Sequence, residues 1–213
     1  SYKNYEVIFW DNQSTDKSKL IFLDIKDDRF KYFSDDEHVT LYGARNKALK
    51  VTTGKYITFL DVDDMWYPDK LEKQVKVMEK KSEIGFCYSG FKFLSEESKR
   101  LNSAYDNRKL KSGYICSHLI KNYNVGILTL MVKKSIVNKN RIKFDERFTI
   151  MGDLDFVLRL SRISMGIPIK LDLAIYRNHA ENLSSKTSLT VKERTIWANE
   201  MLSKSIFSQK EIK

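Results

Sequence analysis

Gly54-Lys55-Tyr56-Ile57-Thr58-Phe59-Leu60-Asp61-Val62-Asp63-Asp64 decides how the rest of this chain reads. An apolar run, Tyr56 to Leu60, ends abruptly in three carboxylates, the pattern of a buried strand emerging at a sheet edge. In open α/β sheets, ligands bind at the carboxyl ends of strands. If the extended geometry continues, Asp61 and Asp63 project to one side and Val62 to the other. Two converging carboxylates repel each other unless a hard divalent cation, shared with substrate phosphates, neutralises them. The spacing therefore points to a Mg²⁺ or Mn²⁺ diphosphate site. A solvated acidic turn ahead of the helix at Pro68 is the competing reading.

Before this block, Tyr5 to Trp10 reads as a strand entering the polar turn Asp11 to Asp16. A helix with Leu20, Ile21, Phe22 and Leu23 as its apolar stripe follows, and then a strand over Phe30 to Phe33. Residues 42–53 have helical spacing in Leu41, Ala44, Ala48 and Val51, closed by Gly54. After the block, Pro68 opens a helix to Lys81 with Leu71, Val75 and Met78 on the buried face. Strands are expected over 86–94, 127–132 and 169–176, a polar loop over 95–112, a helix over 153–165 closed by Gly166, and a terminal helix over 190–207. Alternating strands and helices predict an α/β fold, a mostly parallel central sheet flanked by helices.

Composition narrows the class. In 213 residues, 42% hydrophobic and 31% charged, with eight Gly and two Pro, collagen-like, low-complexity and disordered chains are excluded. No apolar run approaches the roughly 20 residues of a membrane span. With two cysteines, Cys87 and Cys116, a reducing cytoplasm is expected rather than a secreted disulfide scaffold. The net charge of +10 is local: residues 1–91 carry −1, 92–147 carry +8, 148–185 are neutral and 186–213 carry +3. Such a basic stretch is either a solvated surface or a peripheral contact with an anionic membrane at the inner face of the cell. No interleaving of basic and stacking aromatic residues marks an RNA-reading module, so nucleic acid is not expected as a partner.

Taken together, these segments resemble the family 2 glycosyltransferases of the GT-A fold, inverting enzymes that use nucleotide-sugar donors. Tyr5 to Asp16 resembles the family's EIIVVDDGSTD segment, and Gly43-Ala44-Arg45-Asn46-Lys47-Ala48 its ARN-containing helix. Gly54 to Asp64 with Trp66, Pro68, Lys70-Leu71-Glu72 and Gln74 is similar to its most specific block. Met151 to Leu160 resembles the later acidic helix start, and Tyr176 to Ser184 a YRxHxxNxS stretch.

The resemblance implies roles by position. Asp11, Asn12 and Arg45 would line the donor nucleotide pocket, and Asp61 would approach ribose and diphosphate. Asp63 would be the principal metal ligand, joined by Asp61 and by His179, which is either a ligand or a loop anchor. Asp64 would support them or cap the next turn. Asp153 would be the catalytic base, taking the acceptor hydroxyl's proton, although it can also be read as the N-cap of its helix. A donor domain over 1–91, an acceptor part over 92–185 and a helical extension over 186–213 follow. The donor would be a nucleoside-diphosphate sugar, a UDP-sugar first, and the acceptor a glycan or lipid-linked sugar of a bacterial surface polysaccharide.

Two departures accompany the match. Gly152 stands where a Glu is common, and the strand and helix that usually precede the Tyr2 to Tyr5 equivalent are missing, so an exposed sheet edge or apolar groove is expected beside Tyr5 to Trp10. Two other functions compete. Phe59-Leu60-Asp61-Val62-Asp63 also resembles the nucleophile motif of haloacid-dehalogenase-like phosphatases, but Asp64-Met65 follows in place of their Gly-Thr. A non-catalytic nucleotide-sugar-binding module would keep the pocket without turnover.

Overall fold

The computed structural model describes residues 1–180, 182–183, 187–204 and 206. In chain order the elements are β1 (Val7–Asp11), α1 (Ser18–Leu23), β2 (Phe30–Ser34), α2 (Leu41–Val51), β3 (Tyr56–Thr58), β4 (Met65–Trp66), α3 (Lys70–Met78), β5 (Ile84–Ser95), β6 (Leu101–Ser103), α4 (Cys116–Lys121), β7 (Met131–Lys133), α5 (Lys134–Lys139), α6 (Gly152–Ile163), β8 (Met165–Asn178) and α7 (Thr187–Ser203). The expected helix end at Phe207 and the motif positions Glu181 and Ser184 lie outside the described residues.

Two sheets form. β1 pairs in parallel with β2, Val7 opposite Phe30 through Asp11 opposite Ser34. Among the described residues β1 has no second ladder, so its other edge is open. The larger sheet runs β3-β7-β5-β8-β4, with β6 added to β5. The α/β class with helices flanking a central sheet is as expected. The parallel character needs correction: the long ladders β1–β2 and β5–β8 are parallel, whereas β3–β7, β5–β7, β5–β6 and β4–β8 are short and antiparallel.

β5 is the spine, with every residue from Ile84 to Phe91 buried, as a strand covered on both faces must be. Its Phe86 and Tyr88 share one core with Leu130, Val132, Phe144, Phe156 and Leu158. Phe144 and Phe156 stack at 4.3 Å, and Phe59 meets both edge-on. Each such side chain contributes about 1.5–3 kcal/mol by leaving water. Trp197 and Met201 of α7 belong to this same core, so the terminal helix is packed into the domain rather than standing off it.

Several local expectations change. α1 buries only Phe22 and leaves Leu20, Ile21 and Leu23 exposed, because consecutive apolar residues on a helix cannot share one face. α2 stops at Val51 with Thr52 extended, and Gly54 is no helix cap. Gly166 lies inside β8, where a Cβ would come within 2.3 Å of the Phe86 ring. The expected strand at 127–132 is a 3-10 turn over Ile127–Thr129 followed by β7, and the loop after β5 contains β6. No helix among the described residues is long and apolar enough to cross a membrane.

Candidate active site

Arg45 is where the distant motifs meet. Thr40 caps α2, its Oγ1 accepting the Gly43 N–H at 3.1 Å, and the second turn delivers Arg45 beneath the carboxyl end of β3. The side chain is only 10% exposed, beside the Tyr42 and Phe144 rings. Its Nη1 donates to Asp153 at 2.5 Å and its Nη2 to both oxygens of Asp61, at 2.6 and 2.9 Å. A buried guanidinium is tolerable with such partners, since its planar fork can serve two carboxylates at once.

Asp153 lies in the first turn of α6 rather than at its N-cap, which is Met151. The helix-cap reading is thereby replaced: the carboxylate faces Arg45, and its backbone N–H donates to Tyr42 Oη at 3.3 Å. Desolvation pushes its carboxyl up to about 6, helped by the Asp61 charge and opposed by Arg45. With 26% of the side chain still accessible, the carboxyl group remains open to solvent.

The acidic turn departs from the expected geometry. β3 ends at Thr58, and the Asp64 N–H donates to the Asp61 carbonyl at 3.1 Å, closing a turn. Extended alternation therefore stops before Asp61. Asp61 is held by Arg45, whereas Asp63 Oδ2 lies 3.0 Å from His179 Nε2. Among the described residues no three His, Cys, Asp or Glu side chains are gathered as a metal cluster. Asp64 is buried and accepts the Arg177 N–H at 3.0 Å; desolvation raises its carboxyl to about 7. It ties the turn to the end of β8.

His179 is set by Asn182, whose Oδ1 accepts the His179 N–H at 2.6 Å. Arg177, to which sequence reading assigned no role, donates from Nε to the Asp63 carbonyl at 2.8 Å. Asp63, Arg177 and His179 line a cavity of about 420 Å³ with Val62, Glu96 and Ala180.

The two other expected nucleotide contacts have partners within the chain. Asp11, buried at the end of β1, accepts from Tyr32 Oη at 2.5 Å and Ser14 N–H at 2.8 Å. Desolvation works against its charge, and these bonds outweigh it, leaving the carboxyl below its ordinary value. Asn12 cross-links to Val39 through both its amide oxygen and nitrogen. Neither is brought to Asp61 or Asp153 by any hydrogen bond of the structure.

Sequence reading also missed what lies under the turn. Lys70 is fully buried, donating to Thr58 Oγ1 at 3.0 Å and Gln74 Oε1 at 2.7 Å, with its Nζ 3.9 Å from the Trp66 ring centroid. The signals were the places of Lys70 and Gln74 in the motif block and the spacing of Lys70, Gln74 and Met78 four residues apart, a stripe beside the face that hydrophobicity marks.

Known proteins are similar to this chain. The model of Glycosyl transferase family 2 matches residues 1–136. The UDP-Glc:alpha-D-GlcNAc-diphosphoundecaprenol beta-1,3-glucosyltransferase WfgD of Escherichia coli is 31% identical over 138 residues, 65% of this chain and 52% of that protein. WfaP, an E. coli glucosyltransferase described in the same terms, is 29% identical over 188 residues, 87% of this chain and 70% of that one. The structure of S. aureus TarS 1–349 with UDP-GlcNAc shares the fold, with a TM-score of 0.70 at 17% identity, over 85% of this chain and 52% of that chain. The chain spans about half the length of the first of these relatives. A family match over more than half of its residues establishes that the chain belongs to the family 2 glycosyltransferases.

Proposed function

We propose that this chain transfers a sugar, with inversion, from a UDP-sugar to a glycan or lipid-linked acceptor of a bacterial surface polysaccharide. The observation that carries this reading is the Arg45 bridge, which brings Asp153, 108 residues away in sequence, to the same guanidinium as Asp61. Asp153 takes the proton of the acceptor hydroxyl while that oxygen attacks the anomeric carbon; the bond to the diphosphate breaks, and its electron pair leaves with UDP. Arg45 holds the carboxylate in register and, through Asp61, orients the donor side. Arg177 offers positive charge and hydrogen-bond donors to the diphosphate.

Asp63 and His179 fit a Mg²⁺ or Mn²⁺ ion. They would be the residues to hold it, a carboxylate and an imidazole side by side with Oδ2 and Nε2 3.0 Å apart. The cation would stabilise charge on the departing diphosphate, whose oxygens would complete its shell. Asp61 is kept in this reading as a donor-facing residue, with Arg45 as its partner.

WfgD and WfaP are named as UDP-glucose enzymes acting on a diphosphoundecaprenol-linked sugar, and TarS is solved with UDP-GlcNAc, which supports a UDP-sugar and a lipid-linked acceptor here. A basic groove of about 450 Å³ lined by Arg108, Lys111 and Lys170 over Leu110, Ile167 and Pro168 supports peripheral contact with anionic lipid on the cytoplasmic face of the membrane. Calorimetric titration with UDP, with and without Mn²⁺, tests the donor site. Binding should need Mn²⁺ and weaken at least about tenfold, or 1.4 kcal/mol, in Asp63→Ala; metal-independent binding of equal strength in both proteins would remove the assignment.

A further inference from the structure

We propose that α7 is a latch on the segment bearing Asp153, with Glu193 and Trp197 as positioning residues for sugar transfer. This rests on Asp153 being the base. Residues 149–151 lead irregularly into α6, and backbone N–H groups at such an entry need acceptors from elsewhere. Glu193, only 5% exposed, supplies them: its Oε1 accepts from Thr149 N at 2.8 Å, and its Oε2 from Ile150 N at 2.9 Å and Met151 N at 3.0 Å. A carboxylate is the strongest acceptor available for three converging amides, and the positive end of α6 favours its charge.

One turn along the same face of α7, Trp197 Nε1 donates to Asp155 Oδ1 at 3.1 Å, while Arg159 holds the other oxygen of Asp155. The following turn adds Met201 to the core and pairs Glu200 with Arg147 at 2.9 Å. Asp153 thus lies between two anchors that both come from α7, at 149–151 and at 155. Tyr42 closes the frame: its Oη donates to the Ile150 carbonyl at 2.9 Å and accepts the Asp153 N–H. Glu193 and Trp197 bond to the residues on either side of Asp153, so the helix acts through the placement of Asp153. The matched family region ends at residue 136, before α6 and α7 begin.

Two variants separate positioning from folding. Glu193→Gln keeps the shape and turns an acceptor oxygen into a donor facing amide N–H groups. Trp197→Phe deletes one N–H and keeps an aromatic ring in the core. Steady-state release of UDP from UDP-glucose with Mn²⁺ and a lipid-linked GlcNAc diphosphate as acceptor is measured alongside hydrogen exchange of the Thr149, Ile150 and Met151 amides. A misplacement of about 1 Å can cost on the order of 100-fold, so kcat should fall about 10- to 100-fold in each variant, with donor KM within about twofold. Amide exchange at 149–151 should accelerate in Glu193→Gln. Adding Glu193→Gln to Asp153→Asn should cost nothing more, because residues acting as one unit are non-additive.

Unchanged kcat in both variants, or unchanged exchange at 149–151, overturns the latch. Full activity in Asp153→Asn instead removes the base assignment, and the exchange measurement then decides on the latch separately. Should Glu193→Gln not fold, the kcat and KM of Trp197→Phe decide.

Discussion

A β-carbon on residue 152 would lie 2.4 Å from the Tyr42 ring, which is itself 1% exposed and stacked on Phe144. Glycine here is therefore a packing requirement of Tyr42, and the Glu common in similar sequences has no room. Gly152→Ala should cost about 1–3 kcal/mol, as overpacking does, read as a lower urea midpoint at unchanged slope; an unchanged midpoint would show that Tyr42 yields freely. The individual acids and Arg45 were legible in the sequence because each sits in a short motif. Their wiring was not. Arg45 meets Asp61 across 16 residues and Asp153 across 108, and no local pattern encodes such a pairing. Asp11 and Asn12 show the reverse: motif position suggested a ligand contact, while Tyr32, Ser14 and Val39 engage their polar atoms.

At the level of the element, α3 shows where periodicity misleads. Leu71, Val75 and Met78 were the expected buried face, yet the fully sealed positions are Lys70, Gln74 and Met78. Leu71 and Val75 pack only partly against Met78, Ile84, Cys87 and Met131. Polar residues took the inner face because Gln74 donates to the Thr129 carbonyl at 2.7 Å and Lys70 reaches back to Thr58. Burial pulls the Lys70 ammonium down to about 7, with the neighbouring Cys87 opposing. Between about pH 7 and the ordinary lysine value near 10.4 the unfolded chain then binds the extra proton. Lys70 should accordingly add stability as pH rises through that window. Urea unfolding at pH 7 and pH 9 should show wild type gaining on Lys70→Met; a constant difference would contradict the shifted lysine. The longer helices and strands were legible, whereas the short β4, β6, α4 and α5 were not, nor were the ends set by Thr52 and Ser164 rather than by Gly54 and Gly166.

For the whole molecule, the layered α/β plan followed from the alternation of elements. The split into a two-stranded and a six-stranded sheet did not, because strand pairing depends on partners far apart in sequence. Charge segregation was legible as a number and becomes a surface in the groove of Arg108, Lys111 and Lys170. With up to about 1 kcal/mol per well-placed cation, Lys111→Glu together with Lys170→Glu should cut sedimentation with phosphatidylglycerol vesicles at low salt several-fold; equal binding to neutral vesicles would argue against a lipid contact.

The central claim is that Asp153, raised to about 6 by burial and steadied by Arg45, accepts the acceptor's proton. A base must be ionised to act, so activity is lost as pH falls through that value. The pH dependence of UDP release from UDP-glucose with Mn²⁺ and a lipid-linked GlcNAc diphosphate as acceptor tests this most directly. Wild type should lose about tenfold per pH unit below about 6, and Asp153→Asn should run at least about 100-fold slower with that limb gone. An Asp153→Asn enzyme at wild-type rate, or a wild-type profile flat down to pH 5, would contradict it.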